Sequence, residues 1–597
     1  MSSPISFTIS APNPHDHLLA VTMRLADIGG ADTVDLSMPV WTPGSYMVRE
    51  YSRHVQNFQV HDQEGRPRAA EKIDKATWRV DVAGCKAVDV TYQVYAHELS
   101  PRHNHLDGSH GFFNCVATCL YPVGGLDQPV ELEVVVPDGF GWEVFCPLEP
   151  AKDDARELPR RFVASDFDEL FDTPVEMGDH QWFDFEVKGV PHRFVIWGAR
   201  EIDLEALRRD LPPIVNRNVE MFREIPYDRY LFINHVARDI WGGLEHRHSS
   251  VNIFGPENFD DTEVKEDGDY GDRYANLLRL WSHEHFHAYH IKRLRPVELG
   301  PFDYQRENYS RSLWAVEGVA SYFDTYQLRR AGLIGPGRYM ELLEKRIAQL
   351  HKVPGRLMQS LEDASFDAWI GLYRSYEHTR NASVSYYLKG ELVTWLIDLW
   401  IREQTKGERT MADVLRRMWR QYYRGGDVGF PRGAVEEAVA AEAEASPEEI
   451  FDDLVRGTNQ IDWERYLGGT GLALEASGGG QGWLGVETKE RVGERQEVTF
   501  VAAGGPAESV GLYPGDELVA IDQWSVRGEK LEELMKRHAP GKKVTIHVLR
   551  RGLLRDVEVV CGEKPADTFS LKRQEDATPE QVRLLGGWLG TTEWSER

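Results

Sequence analysis

The sequence predicts a multidomain α+β protein: a β-rich N-terminal part, a mixed α/β domain, a helical region and a small C-terminal β unit. Short segments rich in β-branched and aromatic residues, separated by Gly, Pro, Asp and Asn, fill the first 185 positions. Helical spacing dominates the middle of the chain, and a Gly-rich segment at 468–482 marks a boundary. The predicted boundaries are 1–185 for an antiparallel β domain, 186–330 for the α/β domain, 331–467 for the helical region, 480–565 for the C-terminal unit and 566–597 for a tail.

The excess of acidic residues limits the kinds of molecule that the protein is expected to bind. The formal net charge is -27 over 597 residues, with a pI near 5.3. Such a surface repels nucleic acid and anionic membranes, so we expect neither as a partner. Neutral or cationic peptides suit it, although solubility alone also explains the charge.

The N-terminal residues and the cysteines suggest a compartment. MSSPISFTIS has neither the positive start nor the apolar stretch of a secretory signal, and no run of residues is long and apolar enough to span a membrane. The cysteines are odd in number and lack paired metal-binding spacing: Cys85, Cys115, Cys119, Cys146 and Cys561. We therefore expect a cytoplasmic protein with reduced thiols.

Two loops of the predicted β domain stand out. The first is WTPGSYMVR, from Trp41 to Arg49, and the second, from Ser100 to His110, contains His103, His105 and His110. Three histidines in eight residues could bind a metal, but loop histidines at this spacing are typical of hydrogen-bonding surface residues. We therefore expect surface side chains in this loop, which could also line a cleft.

The stretch with the clearest chemistry is LWSHEHFHAYHIKRLR, residues 280–295, which contains H-E-x-x-H at His283, Glu284 and His287. On a helix, residues four apart lie on one face, so both imidazoles can reach a common ion. The carboxylate of Glu284 would reach a water beside that ion. Two neutral nitrogen ligands, a base and an open coordination position are the parts of a hydrolytic zinc site.

The motif lies in a segment that should be helical. Residues 274–291 contain no Gly or Pro and carry apolar residues at helical spacing, with Asp272 as a plausible N-cap and Pro296 beyond the end. The neighbouring His285 and His290 cannot share the ligand face, and we expect them to pack or to support the ligands. A motif this short can arise by chance in a chain with 21 His and 96 acidic residues, so a third ligand is needed.

A second helix, predicted from Ser312 to Arg330, offers that ligand. Glu317 lies in the middle of its apolar stripe, where a carboxylate needs a cationic partner such as a metal ion. The competing residue is Glu307, which lies outside the periodic segment and is expected to face solvent. Asp324, farther along the helix, could accept the remaining N–H of a ligating histidine.

Two further segments could face a substrate. In Gly242-Gly243-Leu244-Glu245-His246, a carboxylate follows a Gly-Gly kink on a predicted edge strand; a turn with a solvated Glu is an equally simple interpretation. The pair Tyr386-Tyr387 precedes an apolar helix, where tyrosines usually pack. A phenol near the ion could also donate a hydrogen bond to a developing oxyanion.

The C-terminal unit has a long and specific signature. Trp483-Leu484-Gly485-Val486 follows Gly482 at the position of a carboxylate-binding loop, and the segment 507–516 fits A-x-x-x-G-L-x-x-G-D. This pattern resembles a PDZ domain, in which backbone N–H groups hold a peptide C-terminus and the peptide pairs along a sheet edge. Such domains can also act as internal packing modules, so use of the groove stays open.

Taken in order, the β domain, G-G-L-E-H, H-E-x-x-H, W-x-x-E-G, Y-x-K-G and the PDZ unit resemble the glycyl aminopeptidase family of zinc metallopeptidases, of the gluzincin type. WTPGSYMVREYSRHV and IKRLRPVELGPFDY also look like family sequence, so the resemblance covers nearly the whole chain. The sequence departs from the larger aminopeptidase group in two ways: GGLEH replaces G-A-M-E-N, and Glu317 lies farther from His287.

The resemblance implies a thermolysin-like catalytic domain after the β domain, and a helical region that completes the active site. It implies one Zn²⁺ per chain, held by His283, His287 and Glu317, with Glu284 as general base. The match of Tyr387 implies a role in steadying the oxyanion.

The same resemblance assigns the substrate's free α-amino group to Glu245, within the binding segment that includes Gly243 and Leu244. The implied activity is hydrolysis of the N-terminal peptide bond, with a preference for Gly or Ala that rests on the family alone. Two alternatives remain: a zinc endopeptidase that recruits substrates through the PDZ groove, and a non-enzymatic PDZ scaffold with a structural metal. Structural zinc sites are closed by four protein ligands and need no base, which argues against the scaffold.

Overall fold

The structure, a computed structural model, describes residues 5–591 except 27, 29, 155, 157, 159, 199–201, 203, 261, 264–268 and 492–494. The chain forms two compact units. The first comprises Met1–Ser310, Phe323–Ile334 and Leu415–Arg432, and the second comprises Arg311–Tyr322, Gly335–Val414 and Gly433–Arg597. None of the helices in the described residues is long and apolar enough to cross a bilayer.

Three sheets form the N-terminal part of the first unit, which confirms the predicted β-rich start of the chain. Their strands are β1 (Ile5–Ser10), β2 (Leu18–Ala26), β3 (Thr33–Ser37), β4 (Val55–Asp62), β5 (Ala70–Lys72), β6 (Thr77–Asp81), β7 (Ala87–Tyr95), β8 (His105–Leu106), β9 (His110–Asn114), β10 (Tyr121–Pro122), β11 (Val130–Val135), β12 (Glu143–Phe145), β13 (Glu149–Pro150), β14 (Arg161–Ala164) and β15 (Pro174–Gly178), and helix α1 (Phe167–Phe171) precedes β15. The sheet orders are β13-β14-β11-β1-β2-β7-β4, β10-β3-β6-β5 and β12-β15-β9-β8. All neighbours are antiparallel except β1 and β11. Alternate residues of β1 (Ile5, Phe7 and Ile9) are buried, so one face of its sheet covers the core.

A five-stranded mixed sheet follows in the same unit. Its strands are β16 (Gln181–Val187), β17 (Val190–Trp197), β18 (Tyr230–Val236), β19 (Gly242–Glu245) and β20 (Ser249–Phe254), and its helices are α2 (Leu204–Phe222) and α3 (Asp272–His287). The order is β16-β17-β18-β20-β19, with β17, β18 and β20 parallel. Every residue of the central strand β18 is buried, as expected for a parallel strand with both faces covered. Strand β19 lies at the antiparallel edge, as predicted for the segment that ends at Glu245.

The helix that carries H-E-x-x-H is shorter than predicted. Asp272 is its first residue rather than its N-cap, because Gly271 takes the extended cap conformation. The predicted continuation to residue 291 is also wrong, since α3 ends at His287. The carbonyl of His290 bonds to the imidazole of His287 instead of to a backbone N–H four residues on, and the N–H of Leu294 bonds to Tyr289.

The predicted helix over 312–330 is confirmed with one difference. It opens with a π-helical turn, Trp314–Gly318, which contains Glu317. Such turns insert an extra residue into a helix and are frequent at functional sites. The helices from here on are α4 (Val319–Ala331), α5 (Pro336–His351), α6 (Leu361–Phe366), α7 (Thr379–Ala382), α8 (Leu388–Gln404), α9 (Met411–Met418), α10 (Ala434–Ala443), α11 (Glu448–Phe451) and α12 (Trp463–Gly468).

The C-terminal part of the second unit has the predicted PDZ fold. Its elements are β21 (Leu472–Ser477), β22 (Gly482–Trp483), β23 (Val486–Arg491), β24 (Arg495–Val501), α13 (Pro506–Ser509), β25 (Glu517–Ile521), β26 (Trp524–Ser525), α14 (Leu531–Met535), β27 (Lys543–Arg550), β28 (Leu553–Val560), β29 (Gly562–Glu563), β30 (Thr568–Arg573) and α15 (Pro579–Leu589). The main sheet runs β23-β24-β25-β27-β28, with β26 beside β25. Strand β23 therefore lies at a sheet edge, where a PDZ domain accepts its peptide.

Candidate active site

His283 and His287 lie on one face of α3 with their Nε2 atoms 3.0 Å apart. The Nδ1 of His283 is 3.1 Å from Oδ2 of Asp324, and the Nδ1 of His287 is 2.8 Å from the carbonyl oxygen of His290. Both partners accept hydrogen bonds, so each neutral imidazole carries its hydrogen on Nδ1. The two Nε2 lone pairs therefore face each other, which is favourable only with a cation between them. This pair fits a metal ion.

Asp324 takes the supporting position that the sequence suggested. It is fully buried in α4, and its Oδ2 also accepts a hydrogen bond of 3.0 Å from Nη1 of Arg279, while Oδ1 accepts one of 2.6 Å from Thr325. Burial favours the neutral acid, but the Arg279 charge and the His283 hydrogen bond outweigh it and hold the pKa of Asp324 below its ordinary value. An ionised carboxylate thus fixes the tautomer of His283.

His285 packs away from the pair, as expected. Its Nε2 lies 2.6 Å from the hydroxyl of Tyr227 and its Nδ1 lies 3.0 Å from the Asn218 amide. Burial lowers the pKa of His285 far below its usual range, so the ring is neutral. His290 supports His287 through its backbone carbonyl.

The side chain of Glu284 lies next to a glycine of strand β19, Gly243. A Cβ on Gly243 would be 2.0 Å from Oε1 of Glu284, so a larger residue at this position in β19 would displace the carboxylate. The carbonyl of Gly243 accepts a hydrogen bond of 2.9 Å from Nη2 of Arg102, in the loop of the N-terminal sheets that could line a cleft. The Gly-Gly of the edge strand therefore makes room for the candidate base.

Glu245 ends the same strand and is buried. Among the described residues, its Oε1 has no hydrogen-bond partner. The loop from Trp41 to Arg49 covers the carboxylate at Gly44, where a Cβ would lie 2.6 Å from that oxygen. Gly44 also has a φ of +89°, a backbone conformation that favours glycine. Leu244, between Glu245 and Gly243, points to the opposite face of the strand and is fully buried. It can contact a substrate only through its backbone.

A cavity of about 440 Å³ opens beside Glu245. Trp41, Gly44 and Tyr46 line one side of it, and Asp172 and Lys292 line another. Asp172 and Lys292 form an ion pair of 2.6 Å, so these charges are already compensated. Glu245 lines the same cavity, together with Asp166, Asp168, Glu169 and Asp427, so a bound cation could reach its carboxylate.

Glu317 and Tyr387 lie in the second unit, where two glycines set their positions. A Cβ on Gly318 would lie 2.5 Å from Cα of Gly390, so the π-helical turn and α8 touch backbone to backbone. Glu317 precedes the first glycine, and Tyr387 lies just before α8. This contact explains the glycines of W-x-x-E-G and Y-x-K-G. From the sequence, the two motifs could be recognised only by their resemblance to the family.

The side chain of Tyr387 is a protonated donor. Burial, together with the nearby charge of Glu317, raises the pKa of Tyr387 well above its usual range. Its hydroxyl lies 2.9 Å from that of Tyr373, and Tyr386 stacks on it at a ring-centroid distance of 4.9 Å. Sequence reasoning missed Tyr373, because nothing in the local pattern ties it to the later tyrosines.

The prediction of surface histidines in the loop from Ser100 to His110 is wrong. His103, His105 and His110 are 8%, 7% and 0% exposed. Each meets a carboxylate: Glu98 for His103, Asp107 for His105 and Glu176 for His110. Strands β8 and β9 begin within this segment and carry its histidines inward, which the loop-like composition concealed.

Three segments of the chain match models of known families. Residues 6–179 match the Peptidase M61 N-terminal domain, residues 276–393 match the M61 glycyl aminopeptidase, and residues 482–560 match a PDZ domain. The crystal structure of an aminopeptidase N family protein from Idiomarina loihiensis is 28% identical, with a TM-score of 0.91, and the match covers 98% of this chain and 100% of that one.

Two curated proteins match over shorter stretches. The probable periplasmic serine endoprotease DegP-like of Hahella chejuensis is 35% identical over 99 residues, which is 15% of this chain and 21% of that protein. The magnetosome formation protease MamE of Paramagnetospirillum magneticum is 31% identical over 110 residues, which is 18% of this chain and 15% of that protein. The chain thus spans about a fifth or less of the length of these two relatives.

Proposed function

We propose that this chain, which belongs to the glycyl aminopeptidase family of metallopeptidases, removes N-terminal residues from peptides in a zinc-dependent reaction. Small N-terminal residues such as Gly or Ala would be preferred. The observation that supports the proposal lies in strand β19: Gly243 leaves room for the Glu284 carboxylate, and Glu245, two residues farther on, has a buried oxygen without a hydrogen-bond partner among the described residues. Residues i and i+2 of a strand share a face, so Gly243 and Glu245 face the same side of β19.

One Zn²⁺ would be held by His283, His287 and Glu317. Imidazole and carboxylate form a donor set that suits zinc, and the facing Nε2 atoms of the two histidines support a cation there. When bound, zinc would polarise the scissile carbonyl and acidify the attacking water.

Glu284 would act as the general base. It would take a proton from the attacking water and pass it to the leaving amine, a role that requires only a positioned carboxylate with a freely accessible lone pair. The glycine at position 243 leaves space for this carboxylate beside strand β19.

Tyr387 would donate its phenolic hydrogen to the developing oxyanion. The raised pKa of Tyr387 keeps that hydrogen in place across the physiological range. A preorganised donor of this kind contributes roughly 3–4 kcal/mol to the transition state.

Glu245 would bind the free α-ammonium of the substrate. A buried carboxylate oxygen without a donor is costly, and an ammonium group removes that cost. An N-acetylated substrate brings no charge and would leave the oxygen unpaired, so the site selects free amino termini.

The test is hydrolysis of Gly- and Ala-p-nitroanilide beside their N-acetylated forms. The wild type is expected to cleave only the free amines. Glu284→Gln should lose activity by a factor of about 10²–10⁴ while it keeps its zinc. Glu245→Gln should lower kcat/KM for free amines by more than about tenfold, the effect of one lost charged contact. Glu131→Gln, which changes an exposed carboxylate on β11, is the matched control and should have no effect.

Two outcomes would overturn this proposal. Comparable cleavage of acetylated substrates would make the protein an endopeptidase. A zinc-loaded chain without hydrolysis of either substrate would favour a scaffold whose metal is structural.

We also propose that the PDZ groove accepts a peptide C-terminus. The carboxylate-binding loop is formed by Trp483, Leu484, Gly485 and Val486, and the adjoining strand β23 pairs only with β24 in the described part of the sheet. An extended peptide could therefore add to β23 by backbone hydrogen bonds. The cytoplasm as the compartment and the five domain boundaries remain predictions from the sequence.

A further inference from the structure

We propose that the first unit holds a second divalent metal ion, bound by His110, Glu176 and His180, with a structural rather than a catalytic role. The side chains are buried, and one ligand atom from each lies within 4.8 Å of the others. Ligand atoms of a tetrahedral zinc, each about 2.0–2.2 Å from the ion, lie about 3.4 Å from one another. The nitrogen–oxygen pairs that are hydrogen-bonded at 2.7 and 2.9 Å would therefore separate by about 0.5–0.7 Å to admit the ion.

Three imidazoles surround the Glu176 carboxylate. Nδ1 of His110 and Nε2 of His180 lie 2.9 and 2.7 Å from Oε1, and Nε2 of His235 lies 2.7 Å from Oε2. His110 comes from β9, Glu176 from β15, His180 from the turn after β15, and His235 from β18. Three chain segments thus converge on one buried acid.

The donor atoms at this point suit a cation. Glu176 is 1% exposed, and every ion-pair partner it has among the described residues is a histidine. One carboxylate oxygen and two imidazole nitrogens therefore meet inside the protein, and the third imidazole lies on the other carboxylate oxygen. A carboxylate and two imidazoles form a donor set that suits zinc.

The surrounding packing holds the rings in place. A Cβ on Gly178 would lie 2.3 Å from Cε1 of His180, so a glycine at the end of β15 lets that ring fold back onto Glu176. Trp197 stacks on His110 at a centroid distance of 3.8 Å, and Phe112 meets the His235 ring edge at 4.9 Å. Aromatic walls and full burial exclude a substrate, which is why the ion would be structural.

His235 is a positioning residue for this site. It donates to the second carboxylate oxygen of Glu176 and so orients the first oxygen toward the ion. Its neighbour Asn234 accepts a hydrogen bond of 2.8 Å from Trp281 of α3. The ion would therefore tie the N-terminal sheets to the strand that supports the H-E-x-x-H helix.

Without a metal ion, the short distances between the histidines and Glu176 are hydrogen bonds. His110, His180 and His235 each donate a ring hydrogen to Glu176. The outer nitrogens, which are buried and have no partner among the described residues, are then bare acceptors. With an ion, the inner nitrogens of His110 and His180 turn lone pairs to the metal, and their hydrogens move to the outer positions. The metal content of the protein separates the two descriptions.

The test is the zinc content of the full-length chain after dialysis, measured by plasma mass spectrometry. About two zinc ions per chain are expected for the wild type, and about one for Glu176→Gln. The double variant His283→Ala/His287→Ala removes the ligands of the candidate active site and should retain about one ion, bound at Glu176. One ion in the wild type and none in the double variant would overturn the proposal.

Two further measurements keep the result independent of misfolding in Glu176→Gln. His97→Gln changes an exposed histidine that stacks on His105 but does not touch Glu176, and it should retain the wild-type zinc content. In the His283→Ala/His287→Ala background, a chelator should lower the melting temperature, because the remaining ion is structural. A melting temperature that the chelator leaves unchanged would contradict the second site, whatever the activity of the enzyme.

Discussion

Asp324 and His283 are joined by a hydrogen bond of 3.1 Å between Oδ2 and Nδ1, and the same oxygen accepts a bond from Arg279. The carboxylate therefore decides which imidazole nitrogen could bind a metal ion. Carboxylates in this position orient a ligating histidine and raise its basicity.

Replacing Asp324 by Asn should weaken zinc binding by about 10–100-fold, because the amide no longer supplies a charged acceptor. The measurement is zinc affinity by competition with a chromophoric chelator. Thr325→Ser, which preserves the hydroxyl that bonds to Asp324, is the control and should bind zinc normally. Equal affinities for Asp324→Asn and wild type would contradict the support given to His283.

The contact between Gly243 and Glu284 gives a prediction that needs no change to a charged residue. Gly243→Ala would place a Cβ 2.0 Å from Oε1 of Glu284 and must displace the carboxylate. We expect kcat to fall by at least about tenfold, since a misplaced base loses much of its contribution, while the zinc content stays the same. Gly242→Ala is a close control, because its nearest neighbour would be Nη1 of Arg102 at 3.7 Å. Similar kinetics for both variants would show that Glu284 has room to move.

The sequence predicts what is local. The spacing of His283 and His287 predicts one helical face, and the signature of the C-terminal unit predicts its fold. The end of α3 depends on a hydrogen bond from His287 to the His290 carbonyl, which no helical periodicity contains. The helix predicted from periodicity therefore extends beyond the observed end of α3 at His287.

The long-range contacts of the candidate site could not be read from the sequence. Gly44 meets Glu245, and Gly318 meets Gly390, only after the chain has folded. Glu176 gathers its histidines in the same way, since His235 lies 59 residues farther along. A glycine in a motif indicates that another part of the chain comes close to its backbone. It does not indicate which part, because tertiary packing sets the contact.

The backbone contact between Gly318 and Gly390 should be sensitive to a single methyl group. A Cβ on Gly390 would lie 2.9 Å from Cα of Gly318, so Gly390→Ala forces α8 away from the π-helical turn. We expect a loss of about 1–3 kcal/mol in the free energy of unfolding and a lower kcat, because Tyr387 precedes α8. Chemical denaturation and initial rates measure the two effects. Gly468→Ala in α12, where a Cβ meets nothing within 4 Å, should be neutral or stabilising; a neutral Gly390→Ala would contradict the close contact.

The last prediction concerns how the PDZ domain is fastened within the second unit. The Asn381 side chain donates a hydrogen bond of 2.8 Å to the Val501 carbonyl and accepts one of 2.9 Å from the Ala503 N–H, so it satisfies two backbone groups at the end of β24. Arg380 reinforces this with a bidentate ion pair to Glu487, on the edge strand β23.

Asn381→Ala would leave both backbone groups without the amide, at a cost of about 1–3 kcal/mol in local stability. Hydrogen exchange followed by mass spectrometry should therefore show faster exchange, by about tenfold or more, in the segment that contains Ala503. Asn459→Ala removes an exposed asparagine that bonds only to a side chain, and it should leave this segment unchanged. Unchanged exchange in Asn381→Ala would mean that packing and the Arg380–Glu487 ion pair suffice to hold the domain. Faster exchange with a lower kcat would instead mean that the same segment, which continues to Tyr387, couples the PDZ domain to the proposed oxyanion donor.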